Sequence, residues 1–212
     1  MKHGVYSAVL LGIGLTLSAA SQAGPRNAEQ PEGLLTLVRD QTVESALFAS
    51  TVAYLNENLP IRVRERRSDV SLAQRTAEAQ LGLLSGMASE QMEAPSVAVA
   101  LVREAVDIKE RILLVREQNA GVVNLSRLQP EVRGAKDEAT QFIRLVQKET
   151  LRTVGYLLGL SQCMNPRCAM SGYKLDPGQD VMGRNYCPAC GAKLEEAVLG
   201  SGGSEDAEAV TE

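Results

Sequence analysis

The sequence Cys163-Met-Asn-Pro-Arg-Cys168, followed after eighteen residues by Cys187-Pro-Ala-Cys190, contains all four cysteines of this 212-residue chain. Two close pairs of thiols, brought face to face by a short loop, are the usual ligand set of a tetrahedral zinc site. In the second pair the proline presets one backbone torsion, and Gly191 is expected to close the turn with a positive φ. The spacing predicts one structural Zn²⁺ per chain, held by Cys163, Cys168, Cys187 and Cys190.

Other uses of these cysteines stay open at this point. Two disulfides would suit an exported protein, a Cys-x-x-Cys pair can be redox-active, and four thiolates also hold iron. Against disulfides, a chain of this length can bury a sizeable core without them, and the cysteines are clustered instead of spread over the fold. Zinc is therefore the favoured occupant of the four-cysteine site.

The stretch directly before the cysteines reads Arg152-Thr-Val-Gly-Tyr156-Leu-Leu-Gly159-Leu-Ser-Gln162. Together with the cysteine pairs and Met170, it resembles the active-site region of the archaemetzincins, a metzincin-type family of zinc metallopeptidases. The family pattern is H-E-x-x-H-x-x-G-x-x-H/x-C, then C-x4-C-x-M and C-x-x-C. The resemblance covers residues 45–199 and is strongest over 150–195. It implies a metzincin-like fold and a zinc-binding protein.

The positions that would bind and activate a catalytic zinc depart from the family pattern. Arg152 and Tyr156 stand where the helix histidines belong, Thr153 where the general-base glutamate belongs, and Gln162 where a third ligand belongs. An arginine stays protonated and cannot coordinate, and a threonine is no base near neutral pH. The single histidine, His3, lies in a segment that we expect to be removed. A second metal bound by Tyr156 is disfavoured.

These replacements lead to the expectation that the protein is not an enzyme. The first hypothesis is a catalytically inactive peptidase homologue, a pseudoenzyme that binds a peptide or protein partner by strand addition near Val122–Leu125. The alternative is a zinc-dependent peptidase or hydrolase with a non-standard active site. Glu149, one turn before Thr153, is expected to be a solvated helix position paired with Arg152. Met170 is expected to be a core contact.

The two ends of the chain predict export and a polar tail. Residues 1–23 have the basic start, apolar run and small-residue cleavage site of a signal peptide, which predicts a periplasmic or secreted protein with no membrane contact after cleavage. Residues 24–33 are expected to be a linker and 200–212 a disordered acidic tail. A net charge of −4, two phenylalanines and no tryptophan disfavour nucleic-acid binding. The oligomeric state stays open.

Hydrophobic periodicity and the resemblance together predict an α/β fold: a metzincin-like single domain over 34–199, with a small mixed sheet, a long active-site-type helix and the C-terminal four-cysteine zinc site. Strands are expected at 61–66, 96–102, 111–115 and 120–125. Helices are expected at 34–58, 71–87 and 130–160, with Gly159 ending the last.

Overall fold

In a computed structural model of the protein, the described residues are 34–69, 71–90, 95–105, 107–172 and 183–200. They form strands β1 (Leu34–Arg39), β2 (Arg62–Arg67), β3 (Ser96–Val102), β4 (Ile112–Val115) and β5 (Ala120–Asn124). The helices are α1 (Ser45–Asn58), α2 (Ala77–Ser89), α3 (Glu138–Leu157) and α4 (Pro188–Leu199). Short 3₁₀ turns cover Arg116–Gln118, Leu125–Arg127 and Gln129–Val132. The expected signal peptide, linker and acidic tail, apart from Gly200, lie outside the described residues.

The sheet has the order β2-β1-β3-β5-β4. The strands β2, β1, β3 and β5 run parallel, and β4 pairs antiparallel with β5 through Ile112 to Val115. The small mixed sheet expected from the sequence is confirmed. This order makes β2 and β4 the two edges, so β5 lies inside the sheet with a neighbour on either side.

Helices cover both faces of the sheet. Leu35 and Leu37 of β1 point into a core shared with α1 and α3, whereas Val38 points into a second core under α2. All seven residues of β3 are buried. A strand that is covered on both faces has a continuous apolar sequence. The apolar run at 96–102 therefore predicts a strand correctly. The result is a three-layer α/β domain.

All three expected helices begin later than predicted, since α2 begins at Ala77 and α3 at Glu138, and the first expected helix shows the largest difference. Residues 34–39 form β1, and the helix begins only at Ser45. The apolar residues of β1 occupy both faces of the sheet, so their spacing mimics a helical stripe. The break lies at Asp40, whose buried carboxylate accepts hydrogen bonds from the Thr42 and Leu72 N–H groups at 2.9 and 2.6 Å. A carboxylate held in this way forms a turn, not a helix interior.

The long helix α3 ends as expected at Gly159, whose φ is +88°. The Leu160 N–H donates to the Gly155 carbonyl at 2.8 Å, and the Gly159 N–H donates to the Tyr156 carbonyl at 3.2 Å. This pair of bonds is a Schellman motif, which turns the chain sharply out of the helix. The turn brings Cys163 to the side of α3, where the cysteine cluster forms.

Among the described residues, no helix combines the length and the apolar character that crossing a bilayer requires.

Candidate functional site

The four cysteine sulfurs converge on one point. All four Sγ atoms lie within 4.8 Å of one another, and the Cys163 and Cys187 sulfurs are 3.8 Å apart. Four thiolates at about 2.3 Å from a tetrahedral zinc ion stand about 3.8 Å from each other, so the cluster has the dimensions of a zinc site. Cys168 is fully buried and Cys190 is 8% exposed. The sequence-predicted ligand set is therefore brought together.

Local backbone structure positions the thiols. The Cys163 N–H bonds to the Met170 carbonyl at 3.0 Å, which closes the first pair into a loop. The N–H groups of Asn165 and Cys187 point at the sulfurs of Cys163 and Cys168, at 3.5 and 3.3 Å. Such bonds stabilise thiolates and are typical of zinc knuckles.

The second pair is built differently from the expected turn. Cys187 is the N-cap of α4 and Pro188 is its first residue, a position where proline costs no hydrogen bond. Gly191 lies inside α4, and its N–H bonds to the Cys187 carbonyl at 2.9 Å. The expected positive φ at Gly191 is therefore wrong, because a helix start replaces the tight turn.

The surroundings of two of the thiols shift their pKa values in opposite directions. A hydrogen bond from the Cys190 N–H, with those from neighbouring thiols, lowers the pKa of Cys187 to about 7. Burial raises the pKa of Cys168. Four thiols this close cannot all ionise unless a cation balances them, so full deprotonation is coupled to metal binding.

The family's four catalytic positions do not meet at one place. Arg152 and Tyr156 lie together, with the Arg152 Nε and Nη2 donating to the Tyr156 hydroxyl at 3.4 and 3.3 Å. Thr153 is fully buried, donates its hydroxyl to the Glu149 carbonyl at 2.8 Å, and points its methyl group at Gly121 of β5. Gln162 lies against the backbone of Gly172. Two of the four positions therefore have packing roles.

Met170 is fully buried and contacts α3 at Gly155, where a Cβ would approach its sulfur to 2.5 Å. This agrees with the core contact expected from the sequence.

Glu149 is the unexpected feature of α3. It is 1% exposed, so the prediction of a solvated position is wrong. Its Oε2 lies 3.5 Å from Arg152 Nη1, and its Oε1 lies 3.7 Å from Arg111 Nη1. The Arg111 guanidinium also donates to both carboxylate oxygens of Glu131 at 2.9 and 3.0 Å. The reason for the burial is tertiary: this side of α3 is covered by the chain segment that leads into β4.

A cavity of about 260 Å³ opens beside this cluster. Its lining comprises Glu110, Arg111, Ile112, Leu114, Glu149, Arg152 and Tyr156. The cavity thus lies between α3 and the edge strand β4. Burial raises the pKa of Glu149, although the neighbouring Arg111 and Arg152 oppose that shift. Burial also lowers the pKa of the neighbouring Lys148.

Replacing Glu149 with glutamine tests the raised pKa. A carboxyl whose folded pKa is raised contributes stability that is fully present below the unfolded value of 4.5 and lost as the pH rises through the folded value. We therefore expect the stability of wild type, relative to Glu149→Gln, to fall as the pH rises above about 4.5. Urea unfolding at several pH values measures this difference. A variant that loses about 2 kcal/mol or more at pH 8 would contradict the expectation.

Arg111 and Glu131 are functional candidates that reasoning on the sequence missed. Arg111 directly precedes β4, and Glu131 lies in the 3₁₀ turn before α3. The position of Arg111 at the start of a predicted strand could have marked it as a candidate, because the end of a strand often lies beside a functional site. Nothing local indicates that Glu131 would meet it from twenty residues away.

A catalytic zinc of the family type does not fit this cavity. At the first family position the Arg152 guanidinium is a permanent cation, and at the second the Tyr156 hydroxyl is engaged by hydrogen bonds from Arg152. Among the described residues, the four cysteines are the one group of three or more metal-ligating side chains close enough to share an ion. A resident metal is thus supported at the cysteines and not on α3.

A sequence model of Peptidase family M54 matches residues 31–196 of the chain. Archaemetzincin from Thermococcus kodakarensis is 35% identical over 75 residues, which make up 35% of this chain and 40% of that protein. Archaemetzincin from Sulfolobus acidocaldarius is 34% identical over 74 residues, 35% of this chain and 42% of that protein. The matched segment therefore spans less than half the length of these curated relatives.

Solved structures show the same fold. The archaemetzincin of Methanopyrus kandleri matches with a TM-score of 0.57 and 18% identity, covering 82% of this chain and 99% of that one. A zinc-dependent peptidase from Methanocorpusculum labreanum matches with a TM-score of 0.56 and 19% identity, covering 76% of this chain and 99% of that one. The metzincin-like fold inferred from the resemblance is confirmed.

These comparisons contradict the expectation that the chain is not an enzyme, because the matching family is named a peptidase family and one structure of the same fold is titled a zinc-dependent peptidase. The expectation was based on the four family positions and on the lack of a histidine outside the first 23 residues, and it treated Glu149 as a solvated helix position. In the structure Glu149 is buried instead, beside two arginines and a cavity.

Proposed function

The chain belongs to peptidase family M54, and from that premise we propose that it hydrolyses peptide bonds at the cavity between α3 and β4, through Glu149 and not through a histidine-bound zinc. The observation that carries the proposal is the burial of one ionisable carboxyl between two guanidinium groups in the wall of an open cavity. Strongly perturbed acids in clefts are candidate catalytic groups.

Each charged group at the cavity has a chemical role in this proposal. The Glu149 carboxylate takes a proton from a water molecule, whose oxygen forms a bond to the carbonyl carbon of the substrate. The Arg152 guanidinium, assisted by the Tyr156 hydroxyl, stabilises the negative charge that develops on the carbonyl oxygen. Glu149 then returns the proton to the leaving amine as the C–N bond breaks. A raised pKa makes the Glu149 carboxylate a stronger base than an ordinary glutamate, which suits a group that must both accept and donate a proton.

Arg111 acts in this scheme as a positioning residue. Its guanidinium is shared between Glu131, at 2.9 Å, and Glu149, at 3.7 Å. The closer pair to Glu131 holds the guanidinium in place, so the Glu149 carboxylate has a fixed neighbour on the β4 side.

The substrate is an extended peptide that pairs with β4. This strand is an edge of the sheet, and it brings Ile112 and Leu114 into the lining of the cavity. An extended peptide added to an edge strand would hold a scissile bond beside Glu149. The partner site first expected at Val122–Leu125 is wrong, because β5 is paired on both sides by β3 and β4 and has no free edge.

The cysteine cluster has a separate, structural role. The residues fit one zinc ion, held by Cys163, Cys168, Cys187 and Cys190, which would tie α4 to the loop that follows α3. When bound, this ion supplies folding energy and no reaction chemistry. The structure of the same fold from Methanocorpusculum labreanum is titled a zinc-dependent peptidase, which favours zinc over iron.

A peptidase assay on the purified protein tests the proposal. We expect cleavage within a library of internally quenched peptides, a fall of about 100-fold or more for Glu149→Gln, and a smaller fall for Tyr156→Phe. Glu78→Gln, at an exposed carboxylate on α2, which covers the opposite face of the sheet from α3, is the matched control and should retain activity. The Glu149 variant, purified in parallel, also reveals contaminating peptidases.

Two results would overturn the proposal. Wild type that cleaves no library peptide is not a peptidase of this kind. Full activity in the Glu149→Gln variant would show that Glu149 is not the catalytic group.

A further inference from the structure

The second edge of the sheet, β2, is unusually basic. Its six residues read Arg-Val-Arg-Glu-Arg-Arg, four arginines against one glutamate, in a chain whose net charge is −4. Five of the six residues are exposed, and Val63 is half-buried. Charged side chains on an edge strand commonly serve to prevent aggregation. Four like charges in six residues also create a strong local preference for an acidic partner.

In the described part of the chain, no strand pairs with the outer backbone of β2. The Ser68 N–H, just after the strand, bonds to the Arg39 carbonyl of β1 at 3.0 Å. Because backbone groups alternate along a strand, Arg62, Arg64 and Arg66 also turn their N–H and C=O groups toward β1. Val63, Glu65 and Arg67 turn theirs outward. Within the part of the chain that the structure describes, β1 is the only strand that pairs with β2.

The arginine side chains lie on both faces of this edge. Val63 packs into the core under α1, so Glu65 and Arg67 share its face, and Arg62, Arg64 and Arg66 face the α2 side. Arg66 pairs with Glu90 at 3.0 Å. For Arg62, Arg64 and Arg67, the described residues provide no ion-pair partner.

A cavity adjoins the end of the strand. It has a volume of about 300 Å³ and lies between β2 and the first turn of α1, lined by Arg39, Ser45, Phe48, Ala49, Glu65, Arg66 and Arg67. The N-cap of α1 is Glu44, whose carboxylate makes no capping bond and pairs with Arg103 at 2.6 Å. The cavity lining itself carries three arginines against the single carboxylate of Glu65, so its charge is positive.

We propose that β2 is a docking edge for an extended acidic peptide segment of a partner protein, which joins the sheet as a sixth strand. Its backbone pairs with the outward N–H and C=O groups of Val63, Glu65 and Arg67. Carboxylates at alternate positions of the peptide lie on one face, about 6.7 Å apart, where they contact the side chains of Arg62 and Arg64. The site lies at the opposite edge from β4 and is independent of the proposed hydrolysis.

Charge and backbone together select this occupant. A second copy of β2 would place guanidinium groups beside one another, which disfavours self-pairing. A nucleic acid could satisfy the charges, but it has no peptide groups to continue the ladder. Only an acidic peptide uses both features of the edge.

Fluorescence anisotropy with a labelled peptide of alternating glutamate and threonine tests this site on the full chain. Arg62→Gln/Arg64→Gln should weaken binding about fivefold, because it removes two exposed charge pairs. Arg127→Gln/Arg133→Gln removes the same charge from exposed positions elsewhere and should leave binding nearly unchanged. A peptide with lysine in place of glutamate should not bind.

A proline at Glu65 separates strand pairing from charge attraction. Glu65→Pro removes an outward N–H while keeping the bonds to β1, since proline is tolerated at the free side of an edge strand. We expect it to weaken binding about tenfold or more, although it also removes a repulsive charge. Glu65→Ala, which removes the charge alone, should bind as tightly as wild type or more tightly.

Three outcomes would overturn the site: equal binding of the lysine peptide, unchanged binding by Glu65→Pro, or equal losses in the two double-arginine variants. Competition by single-stranded DNA that is insensitive to Glu65→Pro would show a general polyanion surface instead.

Discussion

Replacing Cys168 with serine is expected to release the bound zinc and to detach α4 from the domain. Cys168 is fully buried, and the serine hydroxyl cannot replace a thiolate ligand. Leu194 and Val198 of α4 are 1% and 4% exposed, so α4 contributes to the main core. Loss of the ion removes the constraint that holds α4 there. We expect a loss of about 4 kcal/mol or more of unfolding free energy.

Elemental analysis and calorimetry measure this effect. Wild type should contain about one zinc ion per chain, and the variant should contain almost none. The melting temperature should fall by about 8–16 °C for a domain of this size. Met164→Ser is the matched control, since Met164 lies between the ligands but is 93% exposed, and it should keep both zinc and stability.

The same samples distinguish zinc from disulfides. Two disulfides would lower the intact mass of wild type by four hydrogens and leave no metal. Wild type of that mass, or a Cys168 variant with unchanged zinc and melting temperature, would refute the metal site.

Replacing Gly121 with alanine is expected to destabilise the contact between β5 and α3. A Cβ at Gly121 would lie 2.6 Å from the Thr153 Cγ2 atom, and the Leu157 Cδ1 atom and the Leu113 carbonyl oxygen are both 3.5 Å away. Gly121 and Thr153 are both buried, so neither can move aside without shifting the helix. We expect a loss of about 2 kcal/mol, measured by urea unfolding.

A second substitution should relieve the clash. Thr153→Ser removes only the methyl group and keeps the hydroxyl that bonds to the Glu149 carbonyl at 2.8 Å. In the double variant the two losses should be less than additive, by about 1 kcal/mol. Gly82→Ala on α2, where nothing lies within 4 Å of the new Cβ, should be neutral or stabilising. Strict additivity of the Gly121 and Thr153 variants would contradict the proposed contact.

Local features of the fold could be read well from the sequence. The strands at 96–102, 111–115 and 120–125 were predicted within one or two residues, because β-branched apolar runs bounded by polar residues are local signals. The end of α3 was predicted because Gly159 supplies a positive φ that other residues adopt at a cost. The start of α1 was not predicted correctly, because the apolar residues of a strand buried on both faces have a spacing that resembles the apolar stripe of a helix.

The candidate site likewise has features that local sequence predicts and features that depend on tertiary packing. Ligand type and spacing are local properties, so the sequence by itself determined the family and the four-thiol cluster from Cys163 to Cys190. Burial is not local. Glu149 has the sequence neighbours of a solvated residue, and only the packing of α3 against the segment before β4 takes it out of water.

The tertiary structure also decided which surfaces are open to partners. The sequence predicted four strands without their order, and the pairing of β4 with β5 closed the edge first expected at Val122–Leu125. Strand order depends on contacts between residues distant in the chain, which no local pattern encodes. The sequence therefore determined what the thiols can bind, and the fold decided where an acid is buried and where a peptide can pair.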